Sequence, residues 1–219
     1  MTTIYFIRHS KGIGNKVKNF NYNEPLQLQN ERTILSIEGE ERAKVLSELK
    51  EFNDIDCVIS SNYIRTMATA KYFASKNDLD ILIDEDFRER RQGVSSYSEL
   101  GEDFFTRQFE DENYKIGDGE SQKEVRERME KGLNNALEQY KDKRIVILSH
   151  ATAIMFLFKK WCDITTDSFS FKITYKNKEV WNNQFDAPEV FKLTFDENEL
   201  ISIENIRPNE LSWKNTPLI

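Results

Sequence analysis

The sequence contains few residues that bind metals or cross-link a chain. Its 219 residues include only two cysteines and two histidines. Cys57 and Cys162 lie far apart within apolar segments, which is typical of buried thiols rather than of a disulfide framework or a zinc site. We therefore predict that the protein has no metal centre.

Long apolar runs are also absent. The longest, at residues 151–158, is much shorter than the roughly 20 residues that a bilayer span requires. The N-terminus lacks a basic leader followed by a long apolar region, so we expect no secretory signal. These absences predict a cytoplasmic protein that does not associate with membranes.

A basic surface is the third absence. The formal net charge is −7, with 38% hydrophobic and 32% charged residues, a composition typical of a soluble globular protein. Proteins that bind nucleic acids neutralise phosphates with a basic face, so we expect no nucleic-acid partner. An anionic substrate would have to be held by a few arginines inside a cleft.

Short apolar segments alternate with helical patterns over the first two-thirds of the chain. This alternation predicts an α/β protein with three layers, in which helices cover both faces of a mostly parallel sheet. The length is compatible with one domain spanning residues 1–219. The predicted strands are residues 3–7, 56–60, 80–83 and 144–149.

Caps and turns place further elements. Ser121 and Glu124 have the spacing of a capping box, which predicts that a long helix begins there. A helix over residues 151–162 is apolar on nearly all sides and should be buried. Near the C-terminus, two β-rich segments flank a turn at residues 196–198 and predict a hairpin.

Both histidines stand at the end of a predicted strand. His9 follows the first strand and His150 follows the fourth. Ligands of open α/β sheets bind beyond the carboxyl ends of the strands. We therefore expect both imidazoles at one edge of the sheet, provided that the two strands are neighbours.

The loop after His9 could instead be a nucleotide-phosphate loop, because it contains Gly12 and Gly14. The glycine spacing does not fit a P-loop, and no Ser or Thr follows the lysine. The dinucleotide pattern fails as well, because Val17 stands where its third glycine is required. The reactive group of this loop is therefore His9 itself.

Two arginines and one glutamate complete the set of candidates. Arg8 precedes His9, and Arg65 lies near the start of a helix that follows the second strand, so both could bind an oxyanion. Glu89 is the candidate proton donor, although its segment also fits a charged, solvated loop. We expect its neighbours Arg88, Arg90 and Arg91 to point outward.

At these residues the chain resembles the histidine phosphatase superfamily, which includes cofactor-dependent phosphoglycerate mutase and many phosphatases. The resemblance covers most of the chain, with six short motifs in the family's order. It implies a phosphoglycerate mutase-like fold that needs no cofactor or metal. It also implies that His9 is the nucleophile, that Glu89 is the proton donor and that the phosphate pocket comprises Arg8, Asn15, Arg65 and His150. The motifs are RHS (residues 8–10), LSIEGEERAKVL (35–46), SSNYIRTMATA (60–70), FRERRQG (87–93), GESQKEVRERM (119–129) and LSHA (148–151).

Three residues depart from the family pattern. Ser10 and Ala151 replace glycines, and Lys11 stands where an acidic or amide residue is common. We predict a metal-independent phosphatase that forms a phosphohistidine and acts on a small phosphorylated substrate, whose identity stays open, as does the oligomeric state. Residues 92–118 resemble a lid, and their aromatic content favours a partly apolar leaving group.

Two alternatives remain. The first is a cofactor-dependent phosphoglycerate mutase, although mutases resemble each other in an ERHYG acid loop and a paired-arginine lid that this chain lacks. The second is a regulatory module that binds phosphate but has lost turnover, which the changes at Ser10 and Ala151 would permit.

Overall fold

The computed structural model describes residues 1–13, 24–167 and 170–206. Within these ranges the chain forms a mixed α/β fold. The strands are β1 (Thr2–Arg8), β2 (Cys57–Ser60), β3 (Ile81–Ile83), β4 (Arg144–Ser149), β5 (Asp163–Asp167), β6 (Ser170–Tyr175), β7 (Lys178–Asn183), β8 (Glu189–Asp196) and β9 (Glu199–Asn205). The helices are α1 (Leu26–Arg32), α2 (Ile37–Ser47), α3 (Ile64–Asn77), α4 (Phe104–Glu110), α5 (Gln122–Gln139) and α6 (Ala151–Phe158).

The central sheet has six strands in the order β3-β2-β4-β1-β8-β9. The first four run parallel, whereas β8 and β9 form an antiparallel hairpin at one side. Strands β1 and β4 are direct neighbours, and Arg8 pairs with Ser149 in their register. The mostly parallel sheet and the hairpin are confirmed. The condition set for the two histidines, that the first and fourth strands are neighbours, is met.

Helices cover both faces of this sheet, and β1 shows why. Its side chains alternate between the faces: Ile4 and Phe6 pack with residues of α5 and α6, whereas Tyr5 and Ile7 pack with residues of α2 and α3. Because both faces are buried, the strand is apolar throughout. The predicted three-layer arrangement is therefore present.

The observed helix starts match those predicted from capping residues, whereas one predicted helix end does not match. The Ser36 hydroxyl accepts a hydrogen bond from the Gly39 backbone, and Ser121 and Glu124 form the predicted capping box. In contrast, α6 ends at Phe158 rather than at residue 162. No helix in the described ranges combines the length and apolar content that crossing a bilayer requires.

A second, three-stranded antiparallel sheet in the order β5-β6-β7 was not predicted. Its strands are mostly polar, and only a few side chains, among them Ile173 and Trp181, reach the core. Helix α1 was not predicted either. The 92–118 segment contains a 3-10 turn at Tyr97–Glu99 and helix α4.

Candidate active site

The two histidines lie side by side at the carboxyl edge of the sheet. Their ring centroids are 5.1 Å apart, with the planes inclined at 61°. This proximity follows from the β1–β4 register, because Arg8 and Ser149 are paired and each is followed directly by a histidine. The expectation that both imidazoles reach one edge is confirmed.

Hydrogen bonds define the protonation of His9. Its Nδ1 lies 2.8 Å from the Ser10 carbonyl oxygen, which can only accept, so Nδ1 carries the proton. Its Nε2 accepts a hydrogen bond of 2.9 Å from Arg65 Nε. Burial, together with the charges of Arg65 and Arg8, holds the pKa of His9 well below its usual range. His9 is therefore neutral, with its basic nitrogen inside the site.

His150 is fully buried and has the opposite tautomer. Its Nδ1 accepts from Arg65 Nη2 at 3.0 Å, so the proton lies on Nε2, which is 2.8 Å from the Ser61 hydroxyl. Burial, reinforced by Arg65 and His9, holds the pKa of His150 well below its usual range as well. The second imidazole is neutral too.

Arg65 connects the two rings. It is the second residue of α3 and is only 7% exposed. While Nε and Nη2 contact the histidines, Nη1 donates to the Asn30 backbone carbonyl. No carboxylate among the described residues lies within ion-pair distance of this guanidinium. Its positive charge is therefore available to an anion at the sheet edge.

Arg8 supplies a second guanidinium without an ion-pair partner in the described part of the chain. Its Nη1 donates to the backbone carbonyls of Phe185 and Asp186, at 2.6 and 3.2 Å. Its Nε is buried and has no hydrogen-bond partner. The charge of Arg8 contributes to the lowered pKa of both His9 and His150, so it lies on the same side of the sheet.

Glu89 lies at the amino end of α6. Its Oε1 accepts from the backbone nitrogen atoms of Arg90 and Ala153, at 2.9 and 3.1 Å. Its Oε2 makes no hydrogen bond to the described residues. Burial lowers the pKa of both Arg8 and Arg65, and the Glu89 carboxylate opposes that shift in each. The structure thus brings Glu89 together with His9, His150, Arg8 and Arg65.

The expectation that the three neighbouring arginines point outward is correct only for Arg91. Arg90 is 5% exposed and packs against aromatic rings of the 92–118 segment. Arg88 forms an ion pair of 2.5 Å with Glu120. Arg88 points into the protein because Glu120 offsets the cost of its desolvation, whereas Arg90 points inward with only the Gln108 side-chain amide and two aromatic rings as partners.

No cluster of three metal-ligating side chains occurs in the ranges that the structure describes. The predicted phosphate ligand Asn15 lies outside those ranges.

Comparison with known proteins places this site in a family. The family model of the histidine phosphatase superfamily (branch 1) matches residues 4–192. The chain belongs to the histidine phosphatase superfamily. A relative named probable phosphoglycerate mutase, from Escherichia fergusonii, is 31% identical over 166 residues, which cover 70% of this chain and 72% of the relative.

Solved structures show the same histidine phosphatase fold. A mycobacterial glucosyl-3-phosphoglycerate phosphatase in complex with inorganic phosphate superposes with a TM-score of 0.64 at 16% identity, covering 94% of this chain and 96% of the other. A variant of the Entamoeba histolytica phosphoserine phosphatase, bound to phosphoserine, gives a TM-score of 0.60 at 18% identity, covering 93% and 97%. At these identities the likeness concerns the fold.

Polar positions of the SSNYIRTMATA motif have roles that sequence reasoning missed. Ser61 Oγ contacts His150 Nε2 and also lies 2.8 Å from Thr66 Oγ1. Thr69 Oγ1 accepts from the Ser10 backbone nitrogen at 3.0 Å. The motif therefore positions both histidines as well as Arg65. Its three hydroxyl residues, all in register with the family pattern, were the available signal.

The residues that depart from the family pattern fit the fold. Ser10 is fully buried, and its hydroxyl donates to the Gly39 carbonyl at 2.6 Å. Lys11 pairs with Glu38 at 2.5 Å. Ala151 begins α6 directly after His150. None of these contacts displaces either imidazole from the shared edge.

Proposed function

We propose that this histidine phosphatase hydrolyses phosphate monoesters through a phosphohistidine at His9. The observation that carries the proposal is a neutral imidazole whose unprotonated Nε2 accepts from Arg65 and whose pKa is also lowered by the charge of Arg8. Neither guanidinium has an ion-pair partner among the described residues. Nucleophilic catalysis requires an unprotonated nitrogen. Stabilisation of the transferring group requires fixed positive charge around its oxygens.

The proposed reaction has two steps, transfer of the phosphoryl group to His9 and its hydrolysis. His9 Nε2 attacks phosphorus while the bond from phosphorus to the leaving oxygen breaks, and Glu89 gives its proton to that oxygen. Glu89 then takes a proton from water, the resulting hydroxide attacks phosphorus, and the nitrogen–phosphorus bond breaks to release inorganic phosphate. The hydrogen bond from Nδ1 to the Ser10 carbonyl keeps Nε2 as the reacting atom throughout.

The other residues act on charge and position. Arg8, Arg65 and His150 bind the equatorial oxygens of the phosphoryl group, with His150 donating from Nδ1 once the phosphate displaces the Arg65 contact there and that nitrogen takes up a proton. We assign Asn15 to the same pocket on the basis of the family motif. Because guanidiniums already supply the positive charge, the proposed reaction proceeds without a metal ion. Glu89 Oε2 is the oxygen that carries the proton, since Oε1 is occupied by two backbone hydrogen bonds.

A labelling experiment tests the intermediate. The protein is mixed with a ³²P-labelled monoester that a screen of phosphorylated metabolites has identified as a substrate, and turnover is quenched with base. We expect label on the wild-type chain that survives alkali but is lost in acid. His9→Ala should carry no label. His150→Ala, which alters the other imidazole, should still be labelled, although more slowly. Turnover without acid-labile label in the wild type would contradict the proposal.

A phosphoglycerate mutase is the second candidate, because the Escherichia fergusonii relative at 31% identity carries that name. Mutase activity requires transfer of the phosphoryl group back to the substrate rather than to water. Assaying isomerisation of phosphoglycerate after priming with a bisphosphate distinguishes the two reactions. Binding of vanadate or phosphate without turnover of any ester would instead favour the regulatory module.

A further inference from the structure

A cavity of about 90 Å³ lies beside the candidate active site, between α4, α6 and the three-stranded sheet. Arg90, which directly follows Glu89, and Thr152, two residues beyond His150, both line it. The remaining lining is mostly apolar and includes Phe105, Phe109, Met155 and Phe171.

Arg90 is the only charged residue among the described residues that line the cavity. Its Nη1 donates to Gln108 Oε1. Its Cζ lies 5.3 and 4.9 Å from the ring centroids of Phe104 and Phe105. In the ranges that the structure describes, Nε and Nη2 have no acceptor, and no carboxylate lies within ion-pair distance.

A buried guanidinium without an anion is costly, because neither a neutral amide nor aromatic faces replace its hydration fully. The adjacent Arg88 shows the usual solution, since it pairs with Glu120 at 2.5 Å. Nε of Arg90 is closed off from solvent, which leaves Nη2 as the nitrogen that can donate a charged hydrogen bond to a carboxylate. Burial lowers the pKa of Arg90 and the Glu89 carboxylate opposes that shift, but the two groups form no ion pair, so an anion that arrives with a ligand can still pair with Arg90.

The size and lining of the cavity limit the rest of that ligand. The volume of about 90 Å³ is below the roughly 150 Å³ of an engineered cavity that binds benzene. A ring can thus enter only in part, with its remainder against Phe105, whose side chain is 50% exposed. Besides Arg90 the lining offers three hydroxyl groups, those of Thr106, Thr152 and Thr166, against five apolar side chains, so a sugar with many hydroxyl groups would find too few partners.

We propose that this cavity binds the leaving group of the substrate, and that the preferred substrates are phosphate esters of compact hydroxycarboxylic acids with an apolar or aromatic skeleton. The carboxylate pairs with Arg90 and the skeleton packs on the phenylalanine rings. This inference rests on the proposed hydrolysis of monoesters, because the leaving oxygen must lie next to Glu89.

Four esters test the proposal with the wild-type protein. They are meta- and para-carboxyphenyl phosphate, phenyl phosphate, which lacks the carboxylate, and phosphoglycerate, which lacks the apolar skeleton. We expect kcat/KM for the better carboxyphenyl ester to exceed that for each of the other two by about tenfold or more, the size of one charged hydrogen bond. A ratio of one or less against phenyl phosphate would overturn the proposal.

Arg90→Gln should reduce the ratio between the carboxyphenyl and phenyl esters to near one, chiefly through KM. Arg91→Gln removes the same charge from the next, exposed residue and should leave the ratio unchanged. Because Arg90 is buried, folding of its variant is checked by circular dichroism; Arg90→Met, which keeps the apolar stem without the charge, replaces a variant that fails to fold. An unchanged ratio in a folded Arg90 variant would contradict the assignment.

Failure of the proposed function is distinguishable from failure of this inference. If the wild type hydrolyses both aryl esters equally, only the carboxylate site is wrong. If it hydrolyses neither, the proposed function fails and the assignment of a leaving group fails with it. Titration calorimetry measures binding to the cavity without any reaction, by comparing the affinities of meta- and para-hydroxybenzoate with that of phenol. Equal affinities would refute the carboxylate site itself.

Discussion

Arg128 should determine how well Glu89 acts as a proton donor, although it does not face the site. This side chain of α5 donates to the backbone carbonyls of Asp86, Arg88 and Glu89 at 2.8, 2.9 and 3.3 Å. It also contacts both carboxylate oxygens of Glu120, at 2.8 and 3.1 Å. The segment that carries Glu89 is thus fastened to α5 by one guanidinium.

Two substitutions separate the stability of this network from its effect on catalysis. Arg128→Met breaks a largely buried ion pair and leaves three carbonyls without donors, which should lower the free energy of unfolding by about 3–5 kcal/mol. Arg128→Lys keeps the charge beside Glu120 but lacks the fork that reaches several acceptors. Its loss of stability should therefore be smaller, while Glu89 still loses its position.

The catalytic effect should depend on the leaving group. General acid catalysis contributes about 10²–10⁴-fold, and an ester with a good leaving group needs it least. We expect Arg128→Lys to lower kcat for an alkyl phosphate at least tenfold more than for para-nitrophenyl phosphate. Urea unfolding and kcat for the two esters are the measurements.

Arg126→Met is the control on the same helix. It removes a more exposed ion pair with Glu112 and should lower the free energy of unfolding by less than about 1 kcal/mol. Equal losses for both esters in Arg128→Lys would refute the reasoning.

Two further predictions concern pH and close packing. Because the folded chain holds the pKa of His9 and His150 well below the usual value, the unfolded chain binds more protons as pH falls below about 6.5, and stability should fall by up to about 1.4 kcal/mol per pH unit for each histidine. Urea titrations at pH 7 and 5 should show a shallower dependence for His150→Gln than for the wild type, and identical dependences would argue against a depressed pKa. At Gly39, an added Cβ would lie 1.9 Å from the Lys11 carbonyl oxygen, so Gly39→Ala should push α2 away from the loop after His9 and lower stability by about 1–3 kcal/mol. An unchanged melting temperature and unchanged kcat/KM in that variant would contradict this.

The position of the histidines could be predicted from sequence because it depends on local patterns. Buried strands of a parallel sheet are short apolar runs, so the ends of β1 and β4 are visible without knowing what packs on them. Parallel strands with neighbouring ends then bring His9 and His150 to one edge. The caps at Ser36 and Ser121 are equally local, since each involves residues only three positions apart.

The direction of Arg90 could not be predicted in the same way. Its environment comes from α4, α6 and β6, elements far apart in the sequence, and a run of arginines around Glu89 reads as a solvated loop when those contacts are unknown. The three-stranded sheet was missed for a related reason. Its strands bury few side chains, so periodicity gives a weak signal and the surrounding helices decide the pairing.

The ion pairing of the buried arginines separates those that support the fold from those that face the site. Arg88 and Arg128 both form an ion pair with Glu120, and all three side chains are largely buried. The second group comprises Arg8, Arg65 and Arg90, which make no ion pair with the described residues. Arg8 and Arg65 lie at the two neutral imidazoles, and Arg90 lines the cavity beside Glu89. Folding alone would favour neutralising these charges as it does elsewhere. Their persistence at one edge is physically consistent if a substrate supplies both anions, a phosphoryl group at Arg8 and Arg65 and a carboxylate at Arg90.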